Sequence, residues 1–302
     1  MYLRVRKITS TRARRRRLQF PVSFEIRKQA FSEPVADHEK RNRRSRRKRH
    51  RNRRYPSGPI PTFENSSGLQ LRLPKFSVLP FTPEPVWEQP QNNYGSNRWV
   101  VYSPKLGRFV ILYSDLERDH WVQVEADPSI VLFCEQPLRI SVRLASGSVQ
   151  TIFDMWLKWR DGHEELREVK YKDQLDDSPR VNRQLEAQLT WTNLVSFRYS
   201  VVTEDTIRAN PIFLTNWKRI LCYLGPKSRS GMLHEMDQVQ TLLANFGGMS
   251  IAELERRLSH LDCMLVRIAL FKLMHSGSVR ALALDTRNLD RLTIVQEVRE
   301  DD

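Results

Sequence analysis

Apolar and polar positions fall into an ordered pattern only from Trp99 onward. Trp99-Val100-Val101-Tyr102 and Arg108-Phe109-Val110-Ile111-Leu112-Tyr113 are strand-like runs joined through Pro104-Lys105-Leu106-Gly107, which predicts a β-hairpin. Ser114 stands three residues before Glu117, a capping-box spacing that predicts a helix ending near Asp127-Pro128, because the residue before a proline disfavours helix. Val131–Cys134 and Leu138–Leu144 read as strands with Gln136-Pro137 between them, followed by a turn at Ser146-Gly147-Ser148. The stretch from Thr151 to Gln174 reads as two strands around a Gly turn. Ser178 as N-cap and Pro179 at the first helical position then open a helix. Its apolar period is Val181, Leu185, Leu189 and Leu194, and a strand over Phe197–Thr203 follows. Strand, helix and strand in that order predict a right-handed crossover within one mixed sheet. The reading is therefore an α/β domain over 98–208.

The pattern beyond Asn210-Pro211 is mainly helical. Helices are expected over 212–224, 232–246, 251–259 and 262–275, the third opened by the capping box Ser250-Ile251-Ala252-Glu253 and the last stopped at Ser276-Gly277. Two short apolar strands, Val279–Leu284 and Arg291–Val298, flank Asp285-Thr286-Arg287-Asn288. Three helices and a small hairpin make a winged-helix-like domain over 209–302, an arrangement that serves either DNA or protein binding.

Charge changes the picture at the other end. The formal net charge is +15, yet residues 1–60 hold 21 Lys/Arg against 4 Asp/Glu, and the remaining residues hold 29 against 31. The folded part must therefore attract any nucleic acid through local patches. Arg12–Arg17 and Arg41–Arg54 are basic runs without an apolar period, so 1–60 reads as a disordered Arg-rich arm that either contacts phosphates or is simply solvated. Residues 61–97 are Pro-rich and read as a linker, with Phe76, Val78, Leu79, Phe81 and Trp87 apolar enough for part of it to dock. Cys134, Cys222 and Cys263 are far apart and form no metal-ligand spacing, which argues against a disulfide framework or zinc site and fits a reducing cytoplasm. No run is apolar enough to span a membrane, and no hydrophobic segment follows the basic N-terminus as a signal peptide would require.

The candidate chemistry lies in the stretch from Thr151 to Gln174. Phosphodiester hydrolysis needs a divalent cation to neutralise phosphate oxygens and acidify a water, and Mg²⁺ prefers carboxylates and water. Asp154 in the first strand and Glu168-Val169-Lys170 in the second supply acids and a lysine able to orient the attacking water or stabilise charge. Glu168 and Lys170 are two apart and share a face. Asp154 joins that face only if the loop is Arg160-Asp161-Gly162, with Gly left-handed, which pairs 154 with 168; a two-residue turn would pair 154 with 169. Acids and lysines in strands commonly form a solvated face, and the cap alone accounts for Glu117. Asp154, however, lies among Ile152, Phe153, Met155, Trp156 and Leu157, where a carboxylate needs a partner or a metal.

SPKLGRFVILYSDLERD, ADPSIVLFCEQP, IFDMWLKWRDG, REVKYKDQ and SVVTEDTI, in this order over about 100–208, resemble the TnsA endonuclease family of heteromeric cut-and-paste transposons. The resemblance implies a restriction-endonuclease-like fold of the PD-(D/E)XK class. Its catalytic set would be Glu117, Asp154, Glu168 and Lys170, the three acids holding Mg²⁺ (two ions, with Mn²⁺ able to substitute) and Lys170 handling the water. It also implies cleavage of the 5′ strands at transposon ends beside a TnsB-like DDE transposase, and a TnsC-like AAA+ regulator bound through the winged-helix-like C-terminal region. The setting would be a bacterial cytoplasm, at the nucleoid when active. Phe153 stands where many such nucleases have Pro, and the position of Glu168 can be Gln within the family. Gln136, in the EQP step, falls outside the catalytic set as a residue that holds a strand end by hydrogen bonds. Two other readings remain: a stand-alone PD-(D/E)XK repair or restriction nuclease, and a DNA-binding adaptor whose acids are unused.

Deleting residues 1–54 is expected to reduce the salt dependence of DNA binding without abolishing chemistry, since each neutralised phosphate contributes about 0.9 to the slope of log K against log salt. Titrations of full-length and truncated chains across salt concentrations check this; equal slopes would show that the arm does not touch nucleic acid.

Overall fold

The computed structural model describes residues 3–5, 83–86, 97–229 and 231–298. Most of the arm over 1–60 and of the linker over 61–97 lies outside them. Within the arm, β1 (Leu3–Val5) pairs antiparallel with β2 (Arg98–Ser103), and β2 pairs with β3 (Arg108–Leu112) in the predicted hairpin. The helix predicted from Ser114 is α1 (Asp115–Ala126), and the Ser114 side chain accepts a hydrogen bond from Glu117 N at 3.0 Å. The cap is not fully reciprocal: the Glu117 carboxylate takes the N–H of Tyr113, one residue earlier than a capping box requires.

Next in order come β4 (Ile130–Glu135), β5 (Arg139–Leu144), β6 (Gly147–Ile152), β7 (Met155–Trp159) and β8 (Glu164–Val169). After them α2 (Lys172–Asp177) and α3 (Pro179–Leu194) lead to β9 (Arg198–Val202) and α4 (Glu204–Ile207). The central sheet has the order β4-β7-β8-β9, antiparallel except for the parallel β8–β9 pair, so it is mixed as expected. Strand alternation sends side chains to two cores. Met155 and Leu157 join the cluster that includes Val110, Trp121 and Phe133, beneath α1. Trp156 and Leu166 join Phe153, Ala187 and Trp191, beneath α3.

Two expectations need correction. The predicted first strand over 151–159 is two strands: β6 pairs with β5 in a separate two-stranded sheet, β7 pairs with β4, and Asp154 occupies the bend between them. The backbone shows why. Phe153 N donates to Leu138 O while Gln136 N donates to Asp154 O, so the chain changes partner strand between these two residues. The face of α3 also differs from the leucine period. Leu189 and Leu194 are 51% and 57% exposed, and the buried stripe is Ala187, Gln188, Trp191 and Thr192. Leucine spacing locates the helix, but the stripe facing the sheet is partly polar because it faces a carboxylate.

The C-terminal part comprises α5 (Pro211–Tyr223), α6 (Leu233–Phe246), β10 (Met249–Ser250), α7 (Ile251–Arg257), α8 (Cys263–Ser276), β11 (Val279–Ala281) and β12 (Ile294–Glu297). Its strands form an antiparallel sheet in the order β10-β12-β11. The core runs through the expected boundary at 208/209, because Trp121 and Val124 share one cluster with Leu214, Trp217 and Leu270. Glu125, fully buried on α1, accepts from Ser103 Oγ and lies 2.7 Å from Nε2 of His275 on α8. Among the described residues, no helix is long and apolar enough to cross a membrane.

Gly277 closes α8 in the left-handed conformation (φ 85°), with Ser278 N donating to Leu273 O at 2.9 Å. A Cβ there would stand 2.7 Å from Cβ of Pro128, in the turn before β4. Gly277→Ala is therefore expected to destabilise by about 1–3 kcal/mol through overpacking on a disfavoured backbone. Thermal unfolding should move down by roughly 2–4 °C per kcal/mol. An unchanged midpoint would mean that this junction yields freely.

Candidate active site

The β7–β8 register runs from Met155↔Arg167 to Lys158↔Glu164, and Trp159 N donates to His163 O at 3.0 Å. The loop is therefore Arg160-Asp161-Gly162, with Gly162 at φ 88°, which is the three-residue turn expected from the sequence. Continuing the ladder sets 154 opposite 168, and the side chains meet. Val169 N donates to Asp154 Oδ2 at 2.8 Å, Lys170 Nζ lies 3.5 Å from the same oxygen, and Lys170 Nζ also donates to Glu168 Oε1. Glu117, in the first turn of α1, completes the group. Its neighbour Leu116 packs with Val169 and Ile207, and its carboxyl is close enough to feel the charges of Asp154 and Lys170. Asp154, Glu168 and Lys170 are 18%, 0% and 16% exposed in their side chains.

The backbone of the EQP step places Asp154. Gln136 adopts a positive φ of 45°, donates its N–H to Asp154 O at 2.9 Å and accepts from Val86 N at 2.8 Å. A left-handed non-glycine residue is uncommon, and here it lies at the joint that turns the acid toward Lys170. Holding a strand end by hydrogen bonds, the role expected for Gln136, is what its main chain does. The same hydrogen bond to Val86 ties a short piece of the Pro-rich linker to this joint.

Three residues beyond the expected set complete the environment. Gln184 Nε2 donates to Glu168 Oε1 at 2.5 Å and Gln188 Nε2 donates to Glu168 Oε2 at 2.8 Å. Gln188, itself fully buried, also donates to Thr151 Oγ1 and Ile152 O, while the Tyr199 hydroxyl donates to Gln188 Oε1 at 2.8 Å. The Ile152 carbonyl, which can only accept, fixes which end of the amide faces the carboxylate. Leucine spacing does not reveal the two glutamines: their place at i and i+4 beside Ala187 and Trp191 gains meaning only once that stripe is seen to be buried.

Electrostatics follow from crowding three acids around one lysine. Burial, then the charge of Asp154, pushes the Glu117 carboxyl up to about 7. Burial and Asp154 likewise push Glu168 up to about 8, against the opposing pull of Lys170 and Gln188. Burial works against the Lys170 ammonium, but Asp154, Glu168 and Glu117 together outweigh it and raise its pKa. Lys170 is thus held charged, and the group is short of positive charge. Among the described residues, no three His, Cys, Asp or Glu side chains are already gathered as a metal cage. The oxygen donors nonetheless suit a hard divalent cation, and their mutual repulsion is what such a cation relieves.

On the other side of α1, buried Asp119 binds Arg118 at 2.8 Å, Arg208 at 2.8 Å and Lys218 at 2.6 Å, joining α1 to the residue after α4 and to α5. His120, beside Asp119, is buried. Burial and the nearby Arg167 lower its pKa to about 3, so it is neutral and structural rather than an acid–base group.

A mixed sheet with an acid-x-Lys triplet at the end of a central strand and a second acid beside it is consistent with a TnsA-like nuclease domain. Residues 127–204 match the family model for the Tn7 TnsA-like endonuclease N-terminal domain. The match takes in Asp154, Glu168 and Lys170 and supports a TnsA-type transposase endonuclease subunit. No curated protein matches the chain.

A carboxyl that binds its proton more tightly when folded stabilises the fold at low pH and ceases to do so as pH rises through its folded pKa. Glu117 and Glu168 are both of this kind, so their contribution in the metal-free protein is expected to be full below about pH 4.5, where the unfolded carboxyls still hold their protons, and to be lost progressively up to about pH 8, where the folded ones have released theirs. Denaturation midpoints across that range should fall less steeply in Glu168→Gln than in the native chain. Parallel curves would put the titrating groups elsewhere.

Proposed function

We propose that this protein is a metal-dependent DNA endonuclease subunit of a Tn7-type transposase, cutting the 5′ strands at transposon ends during cut-and-paste transposition. The observation that carries this reading is that Asp154, at the bend before β7, and Glu168, near the end of β8, both meet Lys170, while Glu117 on α1 is near enough to feel the charges of Asp154 and Lys170. Glu117, Asp154 and Glu168 would hold Mg²⁺, with Mn²⁺ able to substitute. The bound cation supplies neutralisation of the scissile phosphate and a more acidic water. Lys170, kept as an ammonium by its acidic neighbours, donates hydrogen bonds to the attacking water or to the phosphate oxygens as their charge grows. Gln184 and Gln188 hold Glu168 in one rotamer, so the carboxylate is oriented before substrate arrives.

Partner assignments follow from the family resemblance. A TnsB-like transposase would process the 3′ ends, and a TnsC-like AAA+ regulator would bind the C-terminal region. Helices α6, α7 and α8 with the β10-β12-β11 sheet support a winged-helix-like reading of that region. One observation favours the adaptor alternative: both oxygens of Glu168 are already taken by Lys170, Gln184 and Gln188.

Asp154→Ala and Lys170→Ala separate the two. Each is expected to lower Mg²⁺-dependent strand cleavage by at least about 10²–10³-fold, the usual cost of removing a group that stabilises transition-state charge, while DNA binding persists. The assay reconstitutes cleavage of end-containing DNA with and without the candidate transposase and ATPase, and maps the strand cut. Cleavage undiminished in either variant would overturn the site, and efficient cutting without partners would favour a stand-alone nuclease.

A further inference from the structure

Beside the acids, on the α3 side of the sheet, lies an open groove of about 720 Å³ between the β5–β6 hairpin and the first turns of α3. Arg139 enters from β5, Arg180 and Arg183 from α3, and Ser148 and Gln150 from β6. Among the described residues, no acid lines it. The guanidinium groups of Arg180 and Arg183, on successive turns of α3 beside one cavity, favour an anion there, and their planar forks match phosphate oxygens in pairs. The neighbouring hydroxyl and amide offer further neutral donors to the same oxygens.

The groove leads to the acids through two shared residues. Gln184 lines it and donates to Glu168 at 2.5 Å, and Ile152 lines it two residues before Asp154. The acids repel a phosphodiester, and residues 61–302 carry no net positive charge of their own. A substrate backbone brought to the acids therefore needs a local cationic track, and this groove lies next to them, with Gln184 between the two.

We propose that the groove formed by Arg139, Arg180 and Arg183 holds the sugar-phosphate backbone of the DNA strand that runs up to Asp154 and Glu168. It contacts phosphates, not base edges, so it sets the position of the strand without reading its sequence. The inference rests on the nuclease reading of the adjacent acids.

Two measurements on the full chain test it, both in an Asp154→Ala background so that cutting plays no part in the readout. In the first, Arg180→Glu combined with Arg183→Glu is compared with its parent for duplex binding across salt. The slope of log K against log salt should fall by roughly 2, about 0.9 for each phosphate that is no longer neutralised, and affinity at low salt should drop more than tenfold. In the second, Ser148→Cys carrying a photo-crosslinker should form an adduct with DNA, and the two arginine substitutions should abolish it. An unchanged slope together with no adduct overturns the proposal. The nuclease reading fails separately: an adduct at Ser148→Cys, together with no cleavage by the native chain and its partners in Mg²⁺, would leave the groove standing and remove the activity.

Discussion

A carboxylate with no solvent exposure sits at the centre of this molecule, and most of what surrounds it answers the cost of putting it there. Glu168 lies on a central strand and cannot reach water, so each oxygen must find a donor inside the protein. Lys170 supplies one from two residues along the strand; Gln184 and Gln188 supply the others from α3. This requirement fixes the rotation of α3 about its axis, which is why Leu189 and Leu194 point outward and its glutamines inward. Tyr199 and Thr151 then fix Gln188, so the network reaches from β9 to β6. A site built on such supports is rigid before anything binds to it.

The other organising element is α1, buried on nearly every side between the mixed sheet and the C-terminal helices. Its two buried carboxylates, Asp119 and Glu125, are consequently paired. Asp119 gathers three cations, and Glu125 meets Ser103 and His275. The same helix carries Glu117 to the acids by its first turn. Packing of α5 and α8 against α1 therefore couples the position of a candidate ligand to the C-terminal helices, the region through which a regulatory partner is proposed to act.

The hairpin is legible in the sequence because strand periodicity and turn chemistry are local. A Gly in the left-handed position at 162 defines a three-residue loop, the loop defines the register, and the register brings 154 opposite 168. Glu117 is legible in a different way: the spacing from Ser114 marks a helix start, but that alone accounts for the residue without chemistry. Gln184 and Gln188 stay hidden because leucine spacing places the helix and assigns its glutamines to the solvent side. Asp154 reads as a strand residue because its neighbours Ile152, Phe153, Met155, Trp156 and Leu157 all suit a strand. Its bend arises from a change of partner between β5 and β4, and pairing across such distances leaves no local trace.

What this sequence determined by itself is most of the elements, the loop that sets the hairpin register and the residue types able to do hydrolytic chemistry, since each depends on contacts a few residues apart. The tertiary structure alone decided that Asp154 turns at a strand switch, that α3 presents glutamines to a buried acid, and that the core runs from the mixed sheet into the C-terminal helices. These depend on which surfaces meet, and burial imposes its demand for partners only once they have met.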